Sequence, residues 1–411
     1  MLRPAGCIAV LLGLFLLAGP VHSLGPAWSG RGGAPVVVSA DGKYVLSDGD
    51  TFTLFGPGGT VTWRGFGGSS VLSNAGGFYQ PLALTRDGMF SVVGTNGGLL
   101  YLDRTQRIFW QDSRYRPIGG VALSPDENFV AVVADGHLSV YTRGGDVVWR
   151  NSTYPDVQSV AISRDGLLSA SGAPGVIHAF NASGFELWNY TAPGIGKILV
   201  SPADSDILAV SDYTVLALHP SGNLLWSFYT GSAIRDLALS WDGSSIAVGN
   251  QGGEVYLLDR NGNQAWVARL SNWANAVSIS DDGSLVAAGD IDRTVYLFDR
   301  NGNQLWNYTT GGIVGGVALS GDGSSLAAAS DQVYFFDLAG PGPVTTTPSL
   351  VTTQGTTPPV PSLTTTGPAG GNVLSPSPTA PPATTPASGS GEFAIIAAGA
   401  MAFAVILKRV N

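Results

Sequence analysis

The stretch SDDGSLVAAGDIDRTVYLFDRNGNQLW, residues 280–306, is one copy of a unit that recurs along most of this chain. It begins with a Ser-x-Asp-Gly turn, continues with small apolar residues from Leu285, alternates aliphatic and aromatic residues from Val295 to Phe298, and ends at Trp306 after a Gly turn. Asp-Gly and Asn-Gly pairs supply the positive φ angles that tight hairpins require. Together with the apolar segment before Ser280, each copy predicts four short strands joined by turns.

The repeat occurs eight times. The aspartate of its first turn recurs at spacings of 38 to 46 residues, at Asp41, Asp87, Asp126, Asp165, Asp204, Asp242, Asp282 and Asp322. Four strands in a repeat of about 40 residues are typical of a propeller blade. We therefore predict an all-β fold, an eight-bladed β-propeller over residues 24–340. A seven-bladed β-propeller is the alternative if the copy from Asp41 to Trp63 is degenerate.

A tryptophan ends the last strand of seven copies, at Trp63, Trp110, Trp149, Trp188, Trp226, Trp266 and Trp306. The eighth copy stops after Asp337, but Trp28 lies ahead of the first copy, 13 residues before Asp41. We therefore predict that an N-terminal strand containing Trp28 completes the last blade. This closure pairs two strand edges that an open ring would expose.

Charge excludes one class of partner. Residues 24–340 carry 17 Lys and Arg against 28 Asp and Glu, a net charge of −11. A body this acidic repels phosphate backbones, so we predict no nucleic-acid partner. The single cysteine, Cys7, lies outside this region. The propeller therefore has neither a disulfide framework nor a thiol nucleophile.

Three segments flank the repeats. Residues 1–23 combine Arg3 with an apolar run, which predicts a secretory signal peptide, with an uncleaved anchor as the alternative. Residues 341–391 are almost wholly Thr, Pro, Ser, Gly and Ala without charge, which predicts a disordered, O-glycosylated stalk. Residues 392–411 hold a 15-residue apolar run before Lys408 and Arg409. This run predicts a C-terminal hydrophobic helix that acts as a transmembrane or sorting segment.

The repeat resembles two propeller families. Val317-Ala-Leu-Ser-Gly-Asp-Gly followed by Leu326-Ala-Ala-Ala resembles the WD40-like motif, and Asp299-Arg-Asn-Gly-Asn-Gln-Leu-Trp306 resembles the end of pyrroloquinoline-quinone (PQQ)-type repeats. The second resemblance implies that Trp28 and the seven repeat tryptophans pack between neighbouring blades. The layout of signal, propeller, stalk and anchor is similar to that of surface proteins of methanogenic archaea. Quinoprotein dehydrogenases of similar fold hold their cofactor with adjacent cysteines, which are absent here, so we expect no cofactor.

Several residues are candidates for binding. Trp273, Phe78, Tyr79, Tyr115 and Tyr154 fall in the loops between blades, which share one face of a propeller, where they could stack on sugars or grip a peptide. Packing within the loops is the alternative. Acidic or amide residues also recur just after the second strand, where a cation site competes with ordinary turn chemistry as the explanation: Asp48, Asn96, Asp135, Asp212, Asn250, Asp290 and Asp331.

Other motifs give weaker signals. The histidines have no ligand-like spacing, and the Asp-Arg-Asn-Gly-Asn segments at Asp259 and Asp299 lack the glycine and the final acid of a calcium loop, so we predict no metal site. Four sequons fit N-glycosylation of an exported protein, at Asn151, Asn181, Asn189 and Asn307.

These features favour a non-enzymatic propeller on the outer side of the cell surface. We expect it to bind an extracellular protein or glycan, or to serve as a structural module of the envelope, and to contact the membrane through its C-terminal segment. The alternative is a propeller enzyme that acts on extracellular polysaccharide, or a PQQ-type quinoprotein. No constellation of acid, base or metal ligands breaks the repeat in the way that an active site would.

Overall fold

The computed structural model describes residues 25–67, 80–114, 116–152, 159–164, 166, 168–173, 175–339 and 353–354. The predicted signal peptide, the predicted C-terminal helix and all but two residues of the predicted stalk lie outside this set. Strands account for nearly all the regular structure, and one 3₁₀ turn, Pro57–Gly59, precedes the last strand of the first blade. No helix in the described part of the chain has the length and apolar character needed to span a membrane.

The described strands form eight antiparallel sheets, one for each copy of the repeat. Seven have four strands, and the sheet of blade 6 has a short fifth strand. The all-β propeller prediction is confirmed. A first strand, β1 (Trp28–Gly30), precedes the blades. Blade 1 contains β2 (Gly33–Val38), β3 (Val45–Asp48), β4 (Thr51–Phe55) and β5 (Val61–Gly67), and blade 2 contains β6 (Leu82–Leu84), β7 (Phe90–Thr95), β8 (Gly98–Asp103) and β9 (Ile108–Asp112). Blade 3 contains β10 (Ile118–Leu123), β11 (Phe129–Ala134), β12 (His137–Thr142) and β13 (Val147–Asn151), and blade 4 contains β14 (Ser159–Ile162), β15 (Leu168–Ala173), β16 (Val176–Asn181) and β17 (Glu186–Thr191).

Blades 5 to 8 continue the same pattern. Blade 5 contains β18 (Ile195–Val200), β19 (Ile207–Ser211), β20 (Thr214–Leu218) and β21 (Leu224–Tyr229), and blade 6 contains β22 (Ile234–Leu239), β23 (Ser245–Asn250), β24 (Glu254–Asp259) and β25 (Gln264–Arg269). Blade 7 contains β26 (Ala274–Ile279), β27 (Leu285–Asp290), β28 (Thr294–Asp299) and β29 (Gln304–Thr309), and blade 8 contains β30 (Gly316–Leu319), β31 (Ser325–Ala329) and β32 (Val333–Asp337). A two-residue strand, β33 (Thr353–Gln354), pairs with β25 at the outer edge of blade 6.

Blade 8 is completed from the other end of the chain. Strand β1 pairs antiparallel with β32, so that Trp28 lies opposite Phe335 and Gly30 opposite Val333. The backbone N–H of Ala27 adds a 2.7 Å hydrogen bond to the carbonyl of Phe335. On the inner side of the ring, β2 packs against β30. The ring is therefore closed by two contacts, and the predicted pairing of the Trp28 strand with the last blade is confirmed.

The core lies between the blades. Small residues fill the second strands, such as Ala287 and Ala288 of β27, which are fully buried because neighbouring sheets converge there. Larger side chains fill the wider outer space, where Trp306 of blade 7 packs with Phe336 of blade 8 at a ring distance of 4.9 Å. Each blade thus supplies one wall of two adjacent cores.

The repeat tryptophans contact the next blade. Four indole N–H groups donate to a carbonyl in the neighbouring third-to-fourth turn: Trp110 to Arg143 at 3.0 Å, Trp188 to Pro220 at 2.8 Å, Trp226 to Arg260 at 2.9 Å and Trp266 to Arg300 at 3.0 Å. Trp63, Trp149 and Trp306 are buried against the following blade without such a bond in the described residues. Trp28 reaches from blade 8 to blade 1, where its ring lies 4.9 Å from Phe55.

A glycine accommodates five of the docked indoles, those of Trp28, Trp110, Trp149, Trp188 and Trp226. Gly262 has a φ of 79°, and a Cβ atom there would lie 2.6 Å from the ring of Trp226. Gly59 has a φ of 76° and would place a Cβ 2.6 Å from Trp28. The glycine that precedes most repeat tryptophans in the sequence therefore belongs to the turn that receives the tryptophan of the preceding blade.

Candidate binding face and channel

The antiparallel strands divide the loops between two faces of the ring. One face, here the turn face, carries the Ser-x-Asp-Gly turns and the third-to-fourth turns. The other, here the loop face, carries the second-to-third turns and the loops between blades. A central channel lined by the first strand of each blade connects them. Two cavities of about 700 and 380 Å³ share Val37, Lys197, Leu199 and Trp241 in their walls and lie along this channel.

Hydrogen bonds within each Ser-x-Asp-Gly turn fix the turn face. In blade 7 the Ser280 hydroxyl donates to Asp282 Oδ1 at 2.9 Å and accepts the N–H of Leu285 at 3.0 Å. The same Oδ1 accepts the N–H of Ser284 at 2.9 Å. These bonds, with the backbone N–H of Ser284 as the largest contributor, lower the pKa of Asp282 below its ordinary value.

Neighbouring turns are also joined to one another around the channel. Backbone N–H groups donate to carbonyls of an adjacent blade from Asp242 to Asp281 (3.2 Å), Asp281 to Gly321 (2.9 Å), Asp322 to Ala40 (3.1 Å) and Ala40 to Arg86 (2.7 Å). This belt runs over blades 6, 7, 8, 1 and 2. It holds the residue between Ser and Asp of each turn at the rim of the channel.

Three of these rim residues meet across the turn-face end of the channel. Arg86 of blade 2 forms a forked ion pair with Asp281 of blade 7, with nitrogen–oxygen distances of 2.5 and 3.3 Å. Its guanidinium also lies 3.9 Å above the ring of Trp241, which comes from blade 6 on the opposite side of the ring. A bidentate pair and a cation–π contact hold the arginine across the opening. The channel is accordingly obstructed at the turn face.

The loop face presents exposed aromatic and aliphatic side chains over blades 5 to 8. Trp273, predicted as a binding residue, is 41% exposed in the loop between blades 6 and 7. Tyr229 ends β21 at 69% exposure, with its ring 6.4 Å from that of Tyr213. Ile313 adds a 58% exposed side chain between blades 7 and 8. We call these four residues the loop-face patch.

Of the loop-face patch, only Trp273 is predicted from the sequence. The other predicted aromatic residues, Phe78, Tyr79, Tyr115 and Tyr154, lie outside the described residues. A signal for Tyr213 was present in the repeat, because blades 2 and 3 have Gly97 and Gly136 at the same position, directly after the recurring acid or amide. A large aromatic residue at a turn position that holds glycine in these blades indicates a role outside the turn.

Two of the recurring acid and amide residues, Asn250 and Asp290, act within their own turns. Asn250 Oδ1 accepts the N–H of Glu254 at 2.9 Å, and Asp290 Oδ1 accepts that of Thr294 at 2.7 Å. Asp290 also accepts the hydroxyl of Tyr296 at 3.0 Å, and burial raises the pKa of its carboxyl. Within the described residues, no group of three or more His, Cys, Asp or Glu side chains is placed to hold a metal ion.

The remaining candidate residues occupy the turn face and the outer strands. Asp259 and Asp299 each accept two N–H groups of their own turn at 2.8 to 2.9 Å. Of the sequon asparagines, Asn189 and Asn307 are exposed on outer strands, Asn151 ends β13, and Asn181 Oδ1 accepts the N–H groups of Ser183 and Phe185. Glycosylation of these four residues stays a prediction.

The family model described as outer membrane protein assembly factor BamB, a PQQ-type repeat model, matches residues 134–251 and 211–342. The two matches together cover half of the chain. The chain belongs to this repeat family. The resemblance to PQQ-type repeats is confirmed, and no curated protein matches the chain.

Solved WD40 propellers have the same fold. The C-terminal WD40 domain of Sif2 superposes with a TM-score of 0.65 at 16% identity, over 78% of this chain and 99% of that domain. Chaetomium thermophilum Sqt1, bound to the N-terminus of the ribosomal protein L10, superposes with a TM-score of 0.60 at 17% identity, over 77% of this chain and 98% of that chain. The WD40-like resemblance is likewise confirmed at the level of the fold.

Proposed function

We propose that this chain is a non-enzymatic binding propeller whose loop face holds an extended peptide segment of another protein. The observation that carries the proposal is the loop-face patch, which lies on the face of the ring opposite the Arg86 obstruction of the channel. Exposed tyrosine and tryptophan are among the residue types that dominate protein recognition.

The comparisons give this proposal a precedent. Sqt1, a propeller of the same fold, is bound to the N-terminus of a ribosomal protein, and the matching family model is named for an assembly factor. For the present chain we extend the precedent to a protein partner outside the cell, where the predicted signal peptide would deliver the propeller.

We further propose that the Thr/Pro-rich segment 341–391 holds the propeller away from the cell surface and that residues 392–411 attach it. Removal of the propeller from intact cells by an external protease checks this placement. We expect the propeller to be released into the medium while cytoplasmic proteins stay protected. A propeller that is cleaved only after the cells are lysed would contradict the placement.

Peptide selection tests the binding function. Random dodecapeptides displayed on phage are panned on the immobilised full chain, and enriched sequences are synthesised and titrated. Truncation of an aromatic hot-spot residue to alanine costs about 2 kcal/mol or more of binding free energy. We therefore expect Tyr229→Ala and Trp273→Ala each to weaken peptide binding at least tenfold. Phe185→Ala is the matched control, because Phe185 is 72% exposed but lies on the turn face.

Three outcomes would contradict the proposal. They are the absence of any enriched peptide, an equal effect of the Phe185 and Tyr229 substitutions, and measurable turnover of a polysaccharide or peptide. A glycan array probed with the same variants separates the remaining alternative. Glycan binding that depends on Tyr229 and Trp273, without peptide binding, would reassign the loop-face patch to carbohydrate.

A further inference from the structure

Irregularities in the innermost strands set one sector of the channel apart. The pairing register shifts near the loop-face end of β18, β22 and β26, and the displaced residues include Lys197, Arg235 and Asn275. A β-bulge re-aims the side chain of the extra residue. All three side chains line the 700 Å³ cavity.

The repeat supplies its own comparison. Register shifts also occur in β2 and β10, but there the displaced residues are Ala34, Pro35 and Gly119. The polar side chains are therefore a property of blades 5, 6 and 7 and not of the bulge itself. These are the blades that also carry Tyr229 and Trp273 on the loop face.

The lysine of this sector is neutralised within the protein. Lys197 Nζ lies 2.8 Å from Asp236 Oδ1. The same carboxylate accepts the N–H of Leu237 at 2.9 Å through Oδ1 and the N–H of Val277 at 2.9 Å through Oδ2. Asp236 is therefore fully occupied by one cation and two backbone donors.

The arginine is held differently. Arg235 donates from Nε and Nη2 to the amide oxygen of Asn275, at 3.4 and 3.2 Å, and Asn275 in turn donates to the carbonyl of Val314 at 3.0 Å. The amide orients the guanidinium without neutralising it. No carboxylate of the described residues forms an ion pair with Arg235.

Charge and geometry together define what this sector accepts. One uncompensated positive charge lines a half-buried cavity whose other wall contains Pro35, Gly315 and Gly316. A guanidinium recognises a carboxylate through paired N–H donors, and the bond strengthens away from bulk water. We propose that Arg235 binds a carboxylate of the peptide held on the loop face.

This inference rests on the proposed peptide-binding function and adds the anchoring group. The carboxylate has two sources, an Asp or Glu side chain or the C-terminus of the partner. Two phage libraries distinguish them, one displaying dodecapeptides through their C-termini and one displaying them with free C-termini. Enriched peptides are titrated into the full chain with each carboxylate replaced by its amide.

We expect one carboxylate-to-amide replacement to weaken binding at least tenfold. Arg235→Met should weaken binding of the acidic peptide by a similar factor, because the substitution removes the charge of the side chain while keeping much of its length. The same variant should bind the amide peptide as the unchanged chain does. Arg260→Met is the control, because Arg260 is an exposed cation on the turn face whose removal changes the net charge equally. Arg235→Lys keeps the positive charge but lacks the paired N–H donors of the guanidinium. It replaces Arg235→Met in these titrations if the methionine variant fails to fold.

Peptides that tolerate replacement of every carboxylate would overturn the inference while leaving the peptide-binding function intact. Equal losses in the Arg235 and Arg260 variants would also overturn it, since that result indicates long-range attraction only. Failure of both libraries to yield a peptide would reject the binding function itself, and the anchoring group with it.

Discussion

Two buried polar residues on the loop face, Asp290 and Asn250, each stabilise their own turn through a side-chain hydrogen bond. Asp290 in blade 7 and Asn250 in blade 6 occupy equivalent positions, and each accepts a backbone N–H four residues ahead. Only the first carries a carboxyl, and burial raises its pKa. The charge of Asp290 is thus a cost that Asn250 avoids while keeping the same hydrogen bond.

We predict that Asp290→Asn stabilises the propeller at pH 7 by about 0.5 to 1 kcal/mol. Because burial raises the pKa of Asp290 in the folded state, its carboxyl does not destabilise the fold below its ordinary pKa. Stability is lost as the pH rises from that ordinary value through the raised pKa. The gain should therefore shrink to nothing near pH 3. Urea unfolding at pH 3, 5 and 7 measures it, and a variant less stable than the parent at pH 7 would contradict the explanation.

At this scale, local chemistry was predictable and long-range contacts were not. The turn role of the recurring acids follows from residues a few positions apart, so the sequence favoured it over a cation site. The contact of Arg86 with Trp241 and Asp281 joins residues far apart in the chain. It depends on which blades face one another across the ring, which no local pattern contains.

Docking of one blade on the next is a property of the strand and turn together. Gly58 and Gly59 are adjacent, both have positive φ, and a Cβ at Gly58 would touch nothing within 4 Å whereas a Cβ at Gly59 would lie 2.6 Å from Trp28. Substitutions at these two glycines therefore distinguish the cost of backbone strain from the cost of displacing the docked indole. The spacing of glycine and tryptophan in the sequence revealed the motif but not that its two members serve different interfaces.

We predict that Gly58→Ala costs about 1 kcal/mol, the penalty for a left-handed backbone, and that Gly59→Ala costs about 2 to 4 kcal/mol because it also displaces Trp28. In a Trp28→Ala background the two glycine substitutions should become equivalent. Urea unfolding of the five variants measures these differences. Equal effects of the two glycine substitutions in the parent chain would show that Trp28 does not dock on blade 1.

The whole molecule depends on closure of the ring. The channel and its obstruction by Arg86 both require blades 8 and 1 to be neighbours. The regular period of the repeat and the position of Trp28 made this closure predictable. The bulges that set Lys197, Arg235 and Asn275 into the channel were not, because they interrupt the alternation of the strand without a distinctive residue pattern.

The arrangement of the blades also explains why the sequence predicts only part of the loop-face patch. Candidate aromatic residues were chosen by their place in the loops between blades, but Tyr213 lies in a second-to-third turn and Ile313 is aliphatic. Their grouping with Trp273 on the loop face follows from the antiparallel strand order of the consecutive blades 5 to 8. The electrostatic contrast between Lys197 and Arg235 likewise depends on which neighbour each meets across the strands.

Cross-linking of β1 to β32 tests the closed ring most directly. Ser29 lies opposite Tyr334 in the pairing register, and cross-strand Cα atoms about 4.5 to 5.5 Å apart suit a disulfide. In a chain with Cys7→Ala, we predict that Ser29→Cys with Tyr334→Cys forms an intramolecular disulfide on mild oxidation, detected by mass spectrometry of the linked peptides. Ser29→Cys with Tyr229→Cys, which lies in blade 5, should form none. Equal linkage in the two pairs, or none in either, would contradict the closed ring.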